Sequence, residues 1–415
     1  MIRSEDNKEL SLELLEFIKN SPTAYNCVEQ IKGMVDKFRG SRCVVRNNSS
    51  LIAWKMPKMP AKGLRIISAH TDSPMFKIKE NPEVKDSNGY VKINVEKYGG
   101  MIPGSWMDRP LSVAGRVVYE WEDNLIAVNV DFKKPMYIIP NVAVHMTRGN
   151  DDKPLSVQTD MQPIGSAGLM DAVAAKVAEI TGNNIETDNI LGSDLYVYNC
   201  QEPVMIGEDY ICAPRIDDLQ CVYSAVKAFT MSESLDYIDV LAVFDNEEVG
   251  SLSRQGASSD MLKEVLAGIR EELNLTTVQW GEFMENSFMI SADNAHGVHP
   301  NHPEKADPTN KPKINEGIVI KYHGGQKYTT DAYTGAWVKK ICRDNNIPYQ
   351  TYHNNSDIAG GSTLGNLVMS NVSIKAADIG APQLAMHSAY ETAGVKDTAY
   401  LLDFMNAFYN NSKKF

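Results

Sequence analysis

The sequence predicts an α/β fold interrupted by a β-rich insert, and three features of the chain predict it. Beyond about residue 200, apolar runs of strand length alternate with helical patterns. Between residues 78 and 199 the runs are short, rich in β-branched and aromatic residues, and separated by Gly, Pro, Asp and Asn. Ahead of both, LRIISAH at 64–70 is a continuous apolar run that suits a buried strand. The α/β body is therefore expected over 1–77 plus 200–415, with the insert at 78–199.

Composition limits what such a fold can do. The 415 residues are 43% apolar, enough to bury an ordinary globular core in one large or two moderate domains. Lys and Arg total 41 against 53 Asp and Glu, and a net charge of −12 repels a phosphate backbone, so no nucleic-acid partner is expected. No apolar run approaches the roughly 18 residues that cross a bilayer. The opening stretch MIRSEDNKELSLELL is charged from its third residue and lacks the apolar core of a secretion signal, which leads to the expectation of a cytoplasmic protein with no membrane partner. Six cysteines (Cys27, Cys43, Cys200, Cys212, Cys221 and Cys342) form no CxxC pair and are read as reduced thiols in the core.

Taken in order, Leu10, Leu14, Leu15, Phe17 and Ile18 carry helical spacing, and Ser21-Pro22 offers a cap and first position for a second helix reaching about Phe38. CVVRN and LIAWKM flank the turn signal Asn47-Asn48-Ser49, followed by the buried strand that ends at His70. In the insert, VKINVEKYG, LSVAGRVVYEW, LIAVNVDF and MYIIPNVAVHM read as strands and GLMDAVAAKVAEI as a helix. Helices are then expected at IDDLQCVYSAVKAF, SDMLKEVLAGIREEL, TDAYTGAWVKKICRDN and DTAYLLDFMNAFYN, with strands at IDVLAVFD and SFMISAD.

Acid and imidazole side chains gather where these strands run out: SAHTD (68–72), RIDD (215–218), FDNEEVG (244–250) and SADNAHGVH (291–299), with AMHSAYE (385–391) near the end. Sites in open α/β sheets are built at the carboxyl ends of strands, where loops converge on a rigid support. A mixed set of histidines and carboxylates there suits zinc-like ions, and hydrolysis needs both an open position for water and a carboxylate that is not a ligand. Glu247-Glu248 can supply both, because adjacent residues at a strand end point in different directions. In His70-x-Asp72 the carboxylate can reach the far ring nitrogen of His70 and fix the tautomer that binds metal. Each stretch also has an ordinary reading: Asp217 and Asp218 as caps of the following helix, Glu247 and Glu248 as surface charge. Their joint appearance in order favours the metal site.

The stretches SAHTDSP, RIDDLQ, FDNEEVGS with the following QGASS, ISADNAHGVHPN and AMHSAYE resemble the aspartyl aminopeptidase family, which includes vacuolar aminopeptidase I and belongs to the co-catalytic zinc exopeptidases. The resemblance spans residues 68–391. It implies a mixed-sheet α/β catalytic domain with helices on both faces and an inserted β-rich dimerisation domain, assembled as a tetrahedral homo-oligomer of twelve subunits. It makes Asp217 the carboxylate shared by two divalent ions, zinc first and cobalt or manganese as alternatives. His70, Asp293, Glu248 and His387 complete the two coordination spheres, and Glu247 becomes the general base, with Asp72 supporting. Family pattern further places His296, Lys321 and Tyr328 at the substrate, and His145 in the active site of a neighbouring subunit.

The implied reaction is removal of N-terminal residues from peptides with a free N-terminus. Lys321 in the first-residue pocket would favour Asp or Glu there; a preference for neutral residues is the alternative within the family. Lys321 and Tyr328 also read as an exposed lysine and a half-buried aromatic flanking a hairpin, and His299, His302, His323 and His353 as surface or structural residues. The family often has Asn after the shared aspartate, where this chain has Asp218, whose charge either helps hold the metals or caps the helix. Two rival readings are a dinuclear hydrolase of N-acyl amino acids, which should lack a pocket for a free amine, and a non-enzymatic scaffold, which intact ligands argue against.

Overall fold

A computed structural model describes residues 4–38, 40–147, 154–411, 413 and 415; part of the charged N-terminal stretch, residues 1–3, lies outside them. Its main sheet has eight strands in the order Ser41–Arg46, Ser50–Lys55, Ile238–Phe244, Leu64–His70, Phe288–Ala292, Lys375–Gly380, Ile318–Lys321 and Tyr349–Tyr352. Ile238–Phe244, Leu64–His70, Phe288–Ala292 and Lys375–Gly380 run parallel at the centre, while Ser50–Lys55 and Ile318–Lys321 join them antiparallel, so the sheet is mixed. Register aligns His70 with Phe244 and Ser68 with Ser291, which brings the ends of three strands to one edge.

Both faces of this sheet are covered, as continuous apolar strands require. Ile67, Ala69, Leu241, Val243 and Ile290 pack on one side against the helices Ser4–Lys19, Ile216–Met231 and Asp397–Tyr409. Ile66, Val240, Ala242 and Met289 alternate to the other side, against Met261–Glu272 and Leu364–Asn371. Alternate residues of one strand thus feed two cores, the expected consequence of the pleat. Helix Ala24–Val35 starts later and ends earlier than Ser21-Pro22 and Phe38 suggested: Thr23 is the extended N-cap residue. Its hydroxyl instead donates to Asn26 Oδ1 at 2.7 Å.

A second, seven-stranded sheet runs from Met75–Lys85 to Ile190–Asn199 and has its own core around Phe76, Trp106, Val113, Val117 and Leu195. It closes on itself, because Ile190–Asn199 pairs with both Met75–Lys85 and Leu111–Trp121, which leaves fewer open edges. Helix Leu169–Thr181 adds Leu169, Val173 and Val177 to that core. MYIIPNVAVHM is not one strand: only Tyr137–Ile138 pairs, and Val144–Thr147 is a short helix, since Pro140 interrupts the ladder.

A third sheet of five short strands, Val204–Ile206, Tyr210–Ala213, Glu391–Gly394, Pro382–Leu384 and Ala295–His296, lies beside the main one. It delivers the chain to Asp217, to the loop holding His387, and to His296. None of the helices among the described residues is long and apolar enough to cross a membrane.

Candidate metal centre

His70 is the last residue of Leu64–His70, Asp293 follows Phe288–Ala292, and Glu247-Glu248 open a short turn three residues beyond Ile238–Phe244. Asp217 lies where the helix Ile216–Met231 is still irregular, with non-helical backbone angles at Asp217 and Asp218, and neither side chain caps it. The two oxygens of Asp217 face different imidazoles. His70 Nε2 is 3.5 Å from Oδ1 and His387 Nε2 is 3.4 Å from Oδ2. His387 Nε2 is also 3.3 Å from Glu248 Oε2, whose side chain is 4% exposed.

Three groups here have ligand atoms within 4.8 Å of one another: His70, Asp217, Asp218 and Asp293; His70, Glu247 and Glu248; and Asp217, Glu248 and His387. Asp217 Oδ1, Asp218 Oδ1 and Glu248 Oε1 are buried without a hydrogen-bond donor. Such orphaned oxygens are costly unless a cation or a proton meets them, and imidazole with carboxylate is a donor set that suits zinc. The electrostatics agree. Burial, with Asp293, Glu248 and Asp72 added, raises the Glu247 carboxyl well above its usual range despite His70. Burial pushes Glu248 up to about 7 against the pull of His387, and pushes Asp218 well above the usual range. Burial opposes charge on His70, yet Asp217 and Asp72 raise its pKa; His387 is pushed up to about 11 by Asp217 and Glu248 against the same opposition. Asp217 alone is held below the carboxylate range, by His387 and His70 in spite of burial. Without cations, protons must be shared among these ligands, and a metal would displace them.

The supports are as specific as the donors. His70 Nδ1 lies 3.0 Å from the Asp72 carbonyl oxygen and 3.5 Å from Asp72 Oδ1, so the carbonyl is the nearer partner and leaves Nε2 for a metal. The Asp72 carboxylate accepts from the backbone N–H of Glu247 and of Glu248, both at 3.1 Å, and from the Tyr98 hydroxyl at 2.7 Å. One carboxylate therefore holds the turn carrying both glutamates, and Tyr98 ties it to the second sheet. Gly99 belongs to this contact: at φ +75° it packs so closely that a Cβ would lie 3.0 Å from Glu248 Cβ.

Glu391 went unremarked in the sequence. Its Oε1 accepts from His387 N–H at 2.7 Å and its Oε2 from Asp217 N–H at 3.1 Å, which joins two donors from different elements through one buried carboxylate. His387 is held at φ +66°, with its carbonyl accepting from Ile102 N–H at 3.1 Å. Glutamine at 391 keeps one acceptor and turns an NH2 toward the other N–H. Glu391→Gln is expected to weaken metal retention about 10- to 100-fold, measured by chelator competition, with kcat falling more than KM changes and Glu391→Asp partly restoring it.

A cavity of about 280 Å³ opens over this cluster, and Glu247 lines it. So do His296, Lys321 and Tyr328. Lys321 is 2% exposed, not a surface lysine: its Nζ donates to the carbonyls of Asp293 (2.7 Å) and Asn294 (3.3 Å) and lies 3.3 Å from Asp293 Oδ2. Burial opposes its charge, but Asp293 and Tyr328 hold its pKa above the usual range. Tyr328 is buried against it, with Lys321 Nζ 5.2 Å from the ring centre. His145 is on the exposed helix Val144–Thr147 and is not among the residues that line this cavity. His302 is exposed beside Glu304, and His323 packs edge-on against Tyr328.

A donor set of histidines and carboxylates at the strand ends of a mixed α/β sheet suits a metal-dependent hydrolase. Residues 17–409 match the family described as aminopeptidase I zinc metalloprotease (M18). A probable M18 family aminopeptidase 2 of Clostridium acetobutylicum is 38% identical, over 97% of this chain and 99% of that protein. Among solved structures, the cryo-EM structure of the Ape4 and Nbr1 complex superposes at a TM-score of 0.91 with 30% identity, covering 99% of this chain and 88% of that one. The S. cerevisiae mApe1 dodecamer gives 0.83 and 25%, covering 97% of each chain. The chain belongs to the M18 family and is a metal-dependent aminopeptidase.

Proposed function

We propose that this enzyme releases N-terminal residues with two divalent ions per subunit, zinc first, that share Asp217. The carrying observation is that the two Asp217 oxygens face different imidazoles, His70 at 3.5 Å and His387 at 3.4 Å. His70 and Asp293 would hold one ion and Glu248 and His387 the other, as their grouping around Asp217 suggests. Such ions, when bound, acidify a water and polarise a peptide carbonyl. Glu247, on the cavity wall, takes the water's proton on a carboxylate oxygen and hands it to the leaving amine. Asp72 acts through backbone contacts, keeping Glu247 toward the cavity and Glu248 toward His387. The substrate's free α-amino group would be held at the metal site and by the acidic side chains around it.

Among the described residues that line this cavity Lys321 is the one lysine or arginine, and it supports a preference for Asp or Glu at the first position. His296 and Tyr328 then contact the substrate. The closed sheet of the insert, read as 78–199 between the two parts of the α/β body, is proposed as the dimerisation domain, with His145 entering a neighbouring subunit's cavity. The dodecamer of mApe1 supports a homo-oligomer of twelve, for which we propose a tetrahedral arrangement of the subunits. Six free cysteines fit the cytoplasm.

Metal analysis with matched Asp-, Glu- and Leu-terminal peptides tests the reading. Two ions per subunit and faster Asp and Glu release are expected. Faster Leu release would overturn the acidic preference, and cleavage of acetylated but not free peptides would overturn the aminopeptidase site.

A further inference from the structure

A second cavity of about 320 Å³ adjoins the metal-centre cavity, and the two share His296, Tyr352, Gly361 and Met386 as a common wall. Their acidic content differs. The metal-centre cavity is lined by Asp217, Glu247 and Asp293, whereas among the described residues the second is lined by Lys305 and the imidazoles of His296, His299 and His353, and by no carboxylate. In a chain of net charge −12 an acid-free wall is conspicuous. It is also built. Ala306, next to Lys305, forms a β-bridge with Asn354, next to His353, and Asn355 Nδ2 donates to the Glu304 carbonyl at 3.2 Å. His353 stacks on Tyr322 with ring centres 5.5 Å apart and planes within 9°, and Tyr352 donates to Asn354 Oδ1 at 2.6 Å.

An exopeptidase that starts from a free amine needs a pocket for the first residue and a path for the remainder. The metal ligands and Glu247 line the metal-centre cavity, so the scissile bond belongs there and the remainder must pass the shared wall toward the second cavity, where His299 and Lys305 are exposed. We infer that the second cavity receives the leaving part of the peptide and selects for a carboxylate on it. That carboxylate is either an acidic side chain just after the scissile bond or the C-terminal carboxylate of a short peptide. The inference rests on the adjoining cavity being the catalytic one.

The assembled, zinc-loaded enzyme is given substrates that share one first residue. One pair, amidated at the C-terminus, has Gln or Glu in second place; the other is a dipeptide as free acid or amide. The acidic member of at least one pair should show a kcat/KM about tenfold higher, mainly through KM, and the responding pair identifies the carboxylate. Lys305→Glu should abolish that advantage and Lys305→Arg keep it. Equal rates within both pairs, or an advantage that Lys305→Glu leaves intact, overturn the inference alone. Cleavage of none of the four overturns it together with the catalytic reading beneath it.

Discussion

Glu247→Gln is expected to bind metal as the wild type does and to lose turnover by about 10³-fold or more, near the upper range for removal of a general base. The two glutamates of the turn differ in what they face. Glu248 points at His387, 3.3 Å away, while Glu247 lines the cavity. Their backbone N–H groups both bind Asp72, so the amide at 247 leaves the turn in place. Without cations, burial and the neighbouring carboxylates raise the Glu247 pKa despite His70, and bound ions oppose that rise. As a base it works only when deprotonated, so kcat/KM in the wild type should fall as pH drops through its pKa, and this limb should vanish in the variant. Metal analysis and initial rates check the pair of outcomes. An active Glu247→Gln enzyme would remove the proposed base, and one that has lost metal would make Glu247 a ligand.

Periodicity made most of the fold legible. Long patterns such as Ile216–Met231 and Asp397–Tyr409 announce themselves because one face must be buried, and Leu64–His70 and Ile238–Phe244 do so because both faces are. The third sheet gave no such signal: strands such as Ala295–His296 and Pro382–Leu384 are two or three residues long, too short to show a period. The donors could be found because they cluster at strand ends in an ordered series. The residues that aim them could not. Glu391 and Tyr98 act through a backbone N–H and a carboxylate more than 20 residues away in sequence, and only the fold brings them there. His299 and His353 read as surface or structural residues, and that they line one cavity shows only in the fold, because separate loops make it.

Asp217 and Asp218 are adjacent, both buried, and opposite in their expected response to amide substitution. Asp217→Asn should lose at least one ion per subunit and roughly 1,000-fold in turnover, the scale of removing a principal charge-stabilising group. Its Oδ1 has no hydrogen-bond donor and its Oδ2 faces His387, and an amide places N–H groups where a cation is needed. Asp218 also has an orphaned Oδ1, but its Oδ2 accepts from the His70 N–H at 3.3 Å, and burial raises its pKa well above the carboxylate range. A protonated acid and an amide are nearly the same shape, so Asp218→Asn should keep both ions and stay within a few-fold of wild-type activity. The sign of its stability effect follows from the raised pKa. Metal-free wild type holds its full stability from this group below the unfolded carboxylate pKa and gives it up as pH rises toward the folded value. Asn removes that loss. After chelation, Asp218→Asn should therefore melt above wild type at about pH 8 and level with it at about pH 4. Loss of an ion in Asp218→Asn, or retention of both in Asp217→Asn, would reverse the assignment of the two carboxylates.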